Sequence, residues 1–148
     1  TTDSTMTVGS EQKSGKGIYR ITGTRKTVTF VKPLSDKNTS FNVPASVKLA
    51  DGRYKVTAID KNAFKNNRKL KKVTIGSNVK KIEKNAFAGC SKLKTVNMKK
   101  ATGITSIGSK AFSKIDAKAK VTVPAKKLSK YKRMLKKAGL PKKATVKK

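Results

Sequence analysis

Apolar side chains return along this chain every 23 residues. Residues 56–75 (VTAIDKNAFKNNRKLKKVTI) are repeated by residues 79–98 (VKKIEKNAFAGCSKLKTVNM). The pairs Val56/Val79, Ile59/Ile82, Ala63/Ala86, Phe64/Phe87, Leu70/Leu93, Val73/Val96 and Ile75/Met98 are apolar throughout, and mostly Lys, Asn, Ser and Thr stand between them. A period of roughly 20–50 residues marks a solenoid. A unit this short cannot bury its own apolar side and must do so against its neighbours. The pattern therefore predicts an inward apolar ladder under a solvated exterior. Leu70-Lys71-Lys72-Val73-Thr74-Ile75 and Leu93-Lys94-Thr95-Val96-Asn97-Met98 end in the alternation of a half-buried strand. Lys-Asn-Ala-Phe at 61–64 and 84–87 predicts one helical turn per unit, with Asp60 and Glu83 placed to complement its positive start.

The flanks extend the same unit. A third copy at 104–123 places Ile107, Ala111, Phe112, Val121 and Val123 25 residues after their counterparts. Two extra residues thus enter at 99–103, and Lys118 replaces the inward leucine. Upstream, Val43-Pro44-Ala45-Ser46-Val47 is a partial copy of 75–79. The β-rich runs 17–21 and 27–31 predict a hairpin that closes the first end. Asp51-Gly52 predicts a second hairpin through a type I′ turn, pairing Leu49 with Tyr54 and Val47 with Val56. Leu128, Tyr131, Leu135 and Ala138 form one helical stripe within 126–139, and Gly139 followed by Pro141 stops it. The expected organisation is a flexible leader at 1–16, an N-terminal β cap at 17–55, and repeats at 56–78, 79–103 and 104–123. A C-terminal cap helix with a mobile basic tail occupies 124–148.

Composition narrows the chemistry. Among 148 residues, 38 Lys and Arg face 7 Asp and Glu, for a net charge of +31, and all but five of the cations are lysines. Such a charge opposes compaction and favours anionic partners. No run approaches the ~18 apolar residues of a membrane span, so no membrane insertion is expected. Histidine is absent and Cys90 stands alone, which leaves no internal disulfide and no ordinary zinc site. The carboxylates Asp3, Glu11, Asp36, Asp51, Asp60, Glu83 and Asp116 are dispersed. That distribution offers no acid–base pair. No catalytic residue and no cofactor are expected, and Cys90 reads as a small buried apolar residue.

The motif Ile-Gly/Pro-x-x-Val-x-x-Ile-x-x-x-Ala-Phe-x-x-Cys-x-x-Leu-x-x-Val-x-Ile resembles the unit of the BspA-like leucine-rich repeats. Residues 75–98 match it best, with Ala86, Phe87, Cys90 and Leu93 in place. The first unit has Asn67 at the cysteine position, and the last lacks both Cys and Leu. The hairpin at 50–56 and the ending from Val123-Pro124 to Leu140 are also similar to secreted or surface proteins of gut Firmicutes. The resemblance implies a β-rich α/β solenoid, a short leucine-rich-repeat-like right-handed coil with an N-terminal β-hairpin cap and a C-terminal helical cap. It implies an extracellular or cell-surface setting and roles in adhesion, and it brings no catalytic residues with it.

The candidate ligand-facing residues are the outward positions of the repeated strands: Lys72 and Thr74, Thr95 and Asn97, Lys120 and Thr122. Lys71, Lys94, Lys80 and Lys81 are expected beside one another on another face. Lysine point charges suit an anionic polysaccharide, a cell-wall polymer or a host matrix protein. Five scattered arginines and few aromatics disfavour nucleic acid, which recruits Arg for bidentate contacts and aromatics for stacking. The sequence therefore predicts a monomeric, non-enzymatic attachment domain. A structural spacer without its own ligand is the alternative, and nucleic-acid binding is the weaker third reading.

Overall fold

The computed structural model describes residues 7–23 and 25–148. The leader expectation at 1–6, and Thr24 in the first hairpin's turn, lie outside the described residues. The strands are β1 (Glu11–Ser14), β2 (Gly17–Gly23), β3 (Thr27–Pro33), β4 (Ser40–Val43), β5 (Ser46–Leu49), β6 (Gly52–Ile59), β7 (Lys72–Ile75), β8 (Lys81–Ile82), β9 (Thr95–Asn97), β10 (Ser106–Ile107), β11 (Lys120–Thr122) and β12 (Thr145–Lys147). Among the described residues there is a single α-helix, α1 (Leu128–Lys137), which follows a 3-10 turn at Ala125–Lys127.

Each repeat contributes one short strand to each of two sheets. The first sheet runs β1-β2-β3-β6-β8-β10, with β5 paired antiparallel to β6. The second runs β12-β11-β9-β7-β4 and is parallel throughout. Equivalent residues lie directly over one another: Phe41 pairs with Val73, Val73 with Val96, Val96 with Val121, and Val121 with Val146. The predicted first hairpin forms as β2 and β3, and β3 then joins the repeats by parallel pairing with β6.

The core between the sheets is a column of rings. Phe30, Phe64, Phe87 and Phe112 stack at centroid separations of 5.3, 4.9 and 5.1 Å, with the last two pairs 8° and 11° from parallel. That spacing follows the ~4.7–4.9 Å between neighbouring strands. Leu70, Leu93, Ile59, Ile82, Ala86 and Met98 are buried beside the column. In the third unit Lys118 is exposed as the sequence implies, and Ile115 and Ala119 fill the interior instead.

Four expectations need correction. The segments 61–64 and 84–87 are not helical. Each is a chain of turns with left-handed residues: Asn62 and Asn66 (φ 60°), Asn85 (φ 59°), Gly89 (φ 79°), Lys110 and Lys114 (φ 59°). Ala63 N donates to Asp60 O and Asn67 N to Phe64 O within the unit, while Phe64 N donates to Ala86 O and Phe87 N to Ala111 O across units. Spanning the gap between units requires N–H groups aimed along the stack, which a helix would turn inward. With no helix there, Asp60 serves otherwise: its Oδ2 accepts from Arg20 Nη1 at 3.0 Å and its Oδ1 from Lys61 N at 2.9 Å.

The Asp51-Gly52 hairpin forms two residues out of the expected register. Leu49 pairs with Gly52 and Val47 with Tyr54, so Ala50 and Asp51 are the loop, and Gly52 takes φ 130°. Tyr54 OH donates to Asp51 Oδ2 at 2.9 Å and Lys26 Nζ to Asp51 O at 2.8 Å, fixing this turn. A two-residue slip leaves each side chain on its intended face, so Val47, Leu49, Tyr54 and Val56 are still buried. The tail is not mobile along 145–147: it forms β12 on β11. Part of the leader is likewise a strand, β1, paired with β2.

The helix is seated by its predicted stripe. Tyr131, Leu135 and Ala138 are buried, with Leu128 packed at the margin. Phe112 N donates to Ala138 O, carrying the cross-unit bonding onto the helix end. Gly139 at φ 89° ends it, with Gly139 N donating to Lys136 O and Leu140 N to Leu135 O, the paired bonds of a Schellman motif. Tyr131 OH donates to Ala101 O at 2.6 Å and accepts from Ile104 N at 2.9 Å. The two-residue insertion at 99–103 is thereby tied to the helix.

Candidate functional site

The second sheet builds an extended face in which polar residues recur in register on all five strands. Its inward residues are buried, so the alternating positions must turn outward. Two parallel rows result. The first is Ser40, Lys72, Thr95, Lys120 and Thr145; the second is Asn42, Thr74, Asn97, Thr122 and Lys147. All six strand residues expected to face a ligand lie in these rows. The lysines are exposed and Thr74, Thr95, Asn97 and Thr122 are half-buried.

The remaining candidates are not brought together. Lys71 and Lys94 sit on adjacent rungs just before β7 and β9, with Lys94 N donating to Lys71 O at 2.9 Å. Lys80 and Lys81 belong to the first sheet: Lys80 N donates to Thr57 O, and Lys81 pairs with Ala58 and Ser106. These two pairs therefore flank different sheets, because residues 76–79 turn the chain from one sheet to the other.

The sequence reading missed both ends of the face. Ser40 and Asn42 were foreshadowed, since Phe41-Asn42-Val43-Pro44 copies the alternation of Val73-Thr74-Ile75-Gly76. Thr145 and Lys147 carry only a three-residue alternation within a lysine-rich tail, too little to single out. Grooves border the rows. One of about 540 Å³ runs beside Asn42, Thr74 and Asn97 and is edged by Arg53, Lys99 and Lys100. Another of about 400 Å³ runs beside Thr95 and Lys120, edged by Lys94, Lys118 and Asp116. A third, of about 550 Å³, lies elsewhere, between loop 32–37 and the turns at 63–69, with Lys32, Lys37, Lys65, Arg68 and Lys69 around it.

Nothing in these grooves resembles a reaction centre. Cys90 is fully buried, its Sγ donates to Phe64 O at 2.9 Å, and burial pushes its thiol up to about 12. A thiol so placed is a poor nucleophile. Among the described residues no cluster of His, Cys, Asp or Glu could hold a metal ion, and no helix is long and apolar enough to cross a membrane. Both ion pairs among the described residues involve Arg20, with Asp60 at 3.0 Å and Glu11 at 3.9 Å. They fasten the hairpin to the first unit, and among the described residues no carboxylate stands in salt-bridge range of the lysines of the face.

The repeat register that builds these rows is matched by the profile of a known family. The BspA type Leucine rich repeat region fits residues 37–138 in six copies. The chain belongs to this family. Solved leucine-rich repeat structures share the fold. A leucine rich cell surface protein from Faecalibacterium prausnitzii is similar at 27% identity and TM-score 0.64, over 82% of this chain and 33% of its own. A leucine-rich repeat protein from Bacteroides capillosus shares 23% identity at TM-score 0.69, over 92% of this chain and 97% of its own. One from Bacteroides ovatus shares 26% identity at TM-score 0.57, over 74% of this chain and 36% of its own. The BspA-type chain thus spans about a third of the length of two of these proteins. No curated protein matches it.

Proposed function

We propose that this chain is a non-enzymatic attachment module of the bacterial surface, holding anionic cell-wall or matrix polymers on its lysine-bearing outer faces. The observation that carries the reading is the in-register face of the second sheet: ten outward positions on five strands, all Lys, Ser, Thr or Asn, in a chain of net charge +31. We take the stacked units as a short right-handed solenoid, the hairpin of β2 and β3 as its N-terminal cap, and α1 with β12 as its C-terminal cap. The cell-surface description of the Faecalibacterium protein supports a secreted or surface location, and the leucine-rich repeat family match supports a binding module over an enzyme. The domain is a monomer in this reading.

Retention on immobilised teichoic acid and on heparin tests it. An attachment module stays bound at about 0.15 M salt, where charges are screened beyond ~8 Å, and elutes steeply above that as counterions return. The alternative, a structural spacer within a longer surface protein, is favoured by the chain's matching only about a third of two relatives. A spacer elutes below that salt from every polymer. Preference for DNA or RNA over heparin at matched charge would instead establish the nucleic-acid reading.

A further inference from the structure

We propose that the outer face of the second sheet binds an extended acidic polysaccharide that carries its charge on alternate sugars, laid across the strands with about one sugar per strand. This rests on the attachment reading above and names the ligand class for that face. The argument begins with the character of successive rungs. In the first row the order is Ser40, Lys72, Thr95, Lys120, Thr145. A cation stands on every second strand and a hydroxyl on the strands between. In the second row Asn42, Thr74, Asn97 and Thr122 alternate amide with hydroxyl in the same period, and Lys147 closes the row on the edge strand β12.

Distance gives the alternation its meaning. Neighbouring strands lie ~4.7–4.9 Å apart, so Lys72 and Lys120, two strands apart, stand roughly 9.5 Å apart at the backbone. That interval is close to one disaccharide of an extended chain, and the single-strand interval is close to one sugar. Along the first row a phosphate polymer or nucleic acid, charged on every unit, would meet a hydroxyl on every second strand, and only the flanking Lys94 and Lys118 would answer its remaining charges. A neutral glycan would leave both lysines without partners. Sugars offer many hydroxyl donors and acceptors, and Thr74, Thr95, Asn97 and Thr122 supply the complementary groups.

The relief fits a linear chain. Grooves border both rows, edged by Arg53, Lys99 and Lys100 on one side and by Lys94 and Lys118 on the other. Asp116 is the one anion there, and its Oδ1 is engaged by Lys118 N at 2.8 Å. The five phenylalanines are all buried, so the face has no Phe on which sugars could stack. Recognition must then come from spacing and polar contacts.

The test is calorimetric titration of the whole chain at about 0.15 M salt with three probes of equal length. These are hyaluronan oligosaccharides, acidic on alternate sugars; polygalacturonate, acidic on every sugar; and polyphosphate. Hyaluronan is expected to bind at least about tenfold tighter per charge than the other two. The double variant Lys72→Gln/Lys120→Gln should lose about tenfold for hyaluronan. The charge-matched Lys65→Gln/Lys69→Gln, in the separate groove at 63–69, should change it by less than about twofold. The exchange Thr95→Lys/Lys120→Thr keeps net charge but puts the cations on adjacent strands, and should abolish the preference. Equal affinity per charge for all three probes, or insensitivity to the exchange, overturns this proposal while leaving attachment intact. No binding to any of them at this salt overturns this proposal, and a loss of retention on teichoic acid and heparin as well overturns both. Circular dichroism of each variant guards against loss of the fold.

Discussion

The second and third repeats occupy neighbouring rungs and solve the same stacking problem with different residues. In the second, the two left-handed turn positions hold Asn85 and Gly89, residues suited to that conformation. In the third they hold Lys110 and Lys114, which are not, yet their φ angles match. Cys90 fills the interior of the second and Ile115 that of the third. The third also carries the insertion, which Tyr131 ties down from outside the repeat. The lesson is a hierarchy. Cross-unit bonds and the ring column dictate the backbone, local preference yields to them, and a unit with poorer local sequence leans on its neighbours.

The most damaging way to break this comparison is to remove a ring. Phe87→Ala should cost about 3–5 kcal/mol in urea unfolding. Phe87 has rings at 4.9 and 5.1 Å on its two sides, whereas Phe112 has one ring partner and meets the helix end on the other. Phe112→Ala should therefore cost less, by about 0.5–1.5 kcal/mol for the missing aromatic pair. Equal losses would mean that area alone, and not the column, sets the stability. Next in size is Tyr131→Phe. It strips Ala101 O and Ile104 N of a shared buried partner, at about 1–3 kcal/mol for each group left unsatisfied. Hydrogen exchange should quicken around 99–104 and stay unchanged around 76–79, the corresponding stretch without an insertion.

Cys90 separates the units by pH, since Ile115 has no proton to lose. The unfolded thiol titrates near its ordinary 9.0 and the buried one near 12. Below pH 9 both states are protonated and the stability is intact. Above it the unfolded state releases the proton first, so stability falls by about 1.4 kcal/mol per pH unit until roughly pH 12. Tyr19, also pushed up to about 12 by burial, adds to the slope. The difference between wild type and Cys90→Ala isolates the thiol: the variant should be flatter between about pH 9 and 11, whatever constant offset its smaller side chain brings.

How much of this was legible depended on which residues were under compulsion. The inward ladder was readable because burial permits little but apolar side chains, and its spacing of 23 and 25 residues fixed which strands would pair. The outward rows at 72–74, 95–97 and 120–122 followed from that register. The turns were misread because Lys-Asn-Ala-Phe suits a helical turn in apolar pattern, and the overlooked signal was Asn at 62, 66 and 85, the residue that best tolerates left-handed backbone after glycine. The second hairpin slipped because Asp-Gly is a general turn signal, while the deciding bonds from Tyr54 and Lys26 are tertiary. β12 escaped notice because lysines hide a strand whose only inward residue is Val146.

The gentlest perturbation sharpens the comparison most. If stacking forces Lys110 into a conformation it disfavours, relieving that conflict must stabilise the chain. A left-handed residue with a Cβ carries a penalty of roughly 1–2 kcal/mol, and glycine regains part of it while raising the entropy of the unfolded chain. Lys110→Gly should therefore gain about 0.5–1 kcal/mol, with Lys110→Asn gaining less. The reverse exchange in the second unit, Asn85→Lys, should lose a few tenths of a kcal/mol. Lys110 is exposed and Asn85 half-buried, so packing changes contribute little. Should Lys110→Gly destabilise the protein while Asn85→Lys is neutral, the third unit's backbone would be held by contacts of Lys110 itself, and the ranking of stacking over local preference would be reversed there.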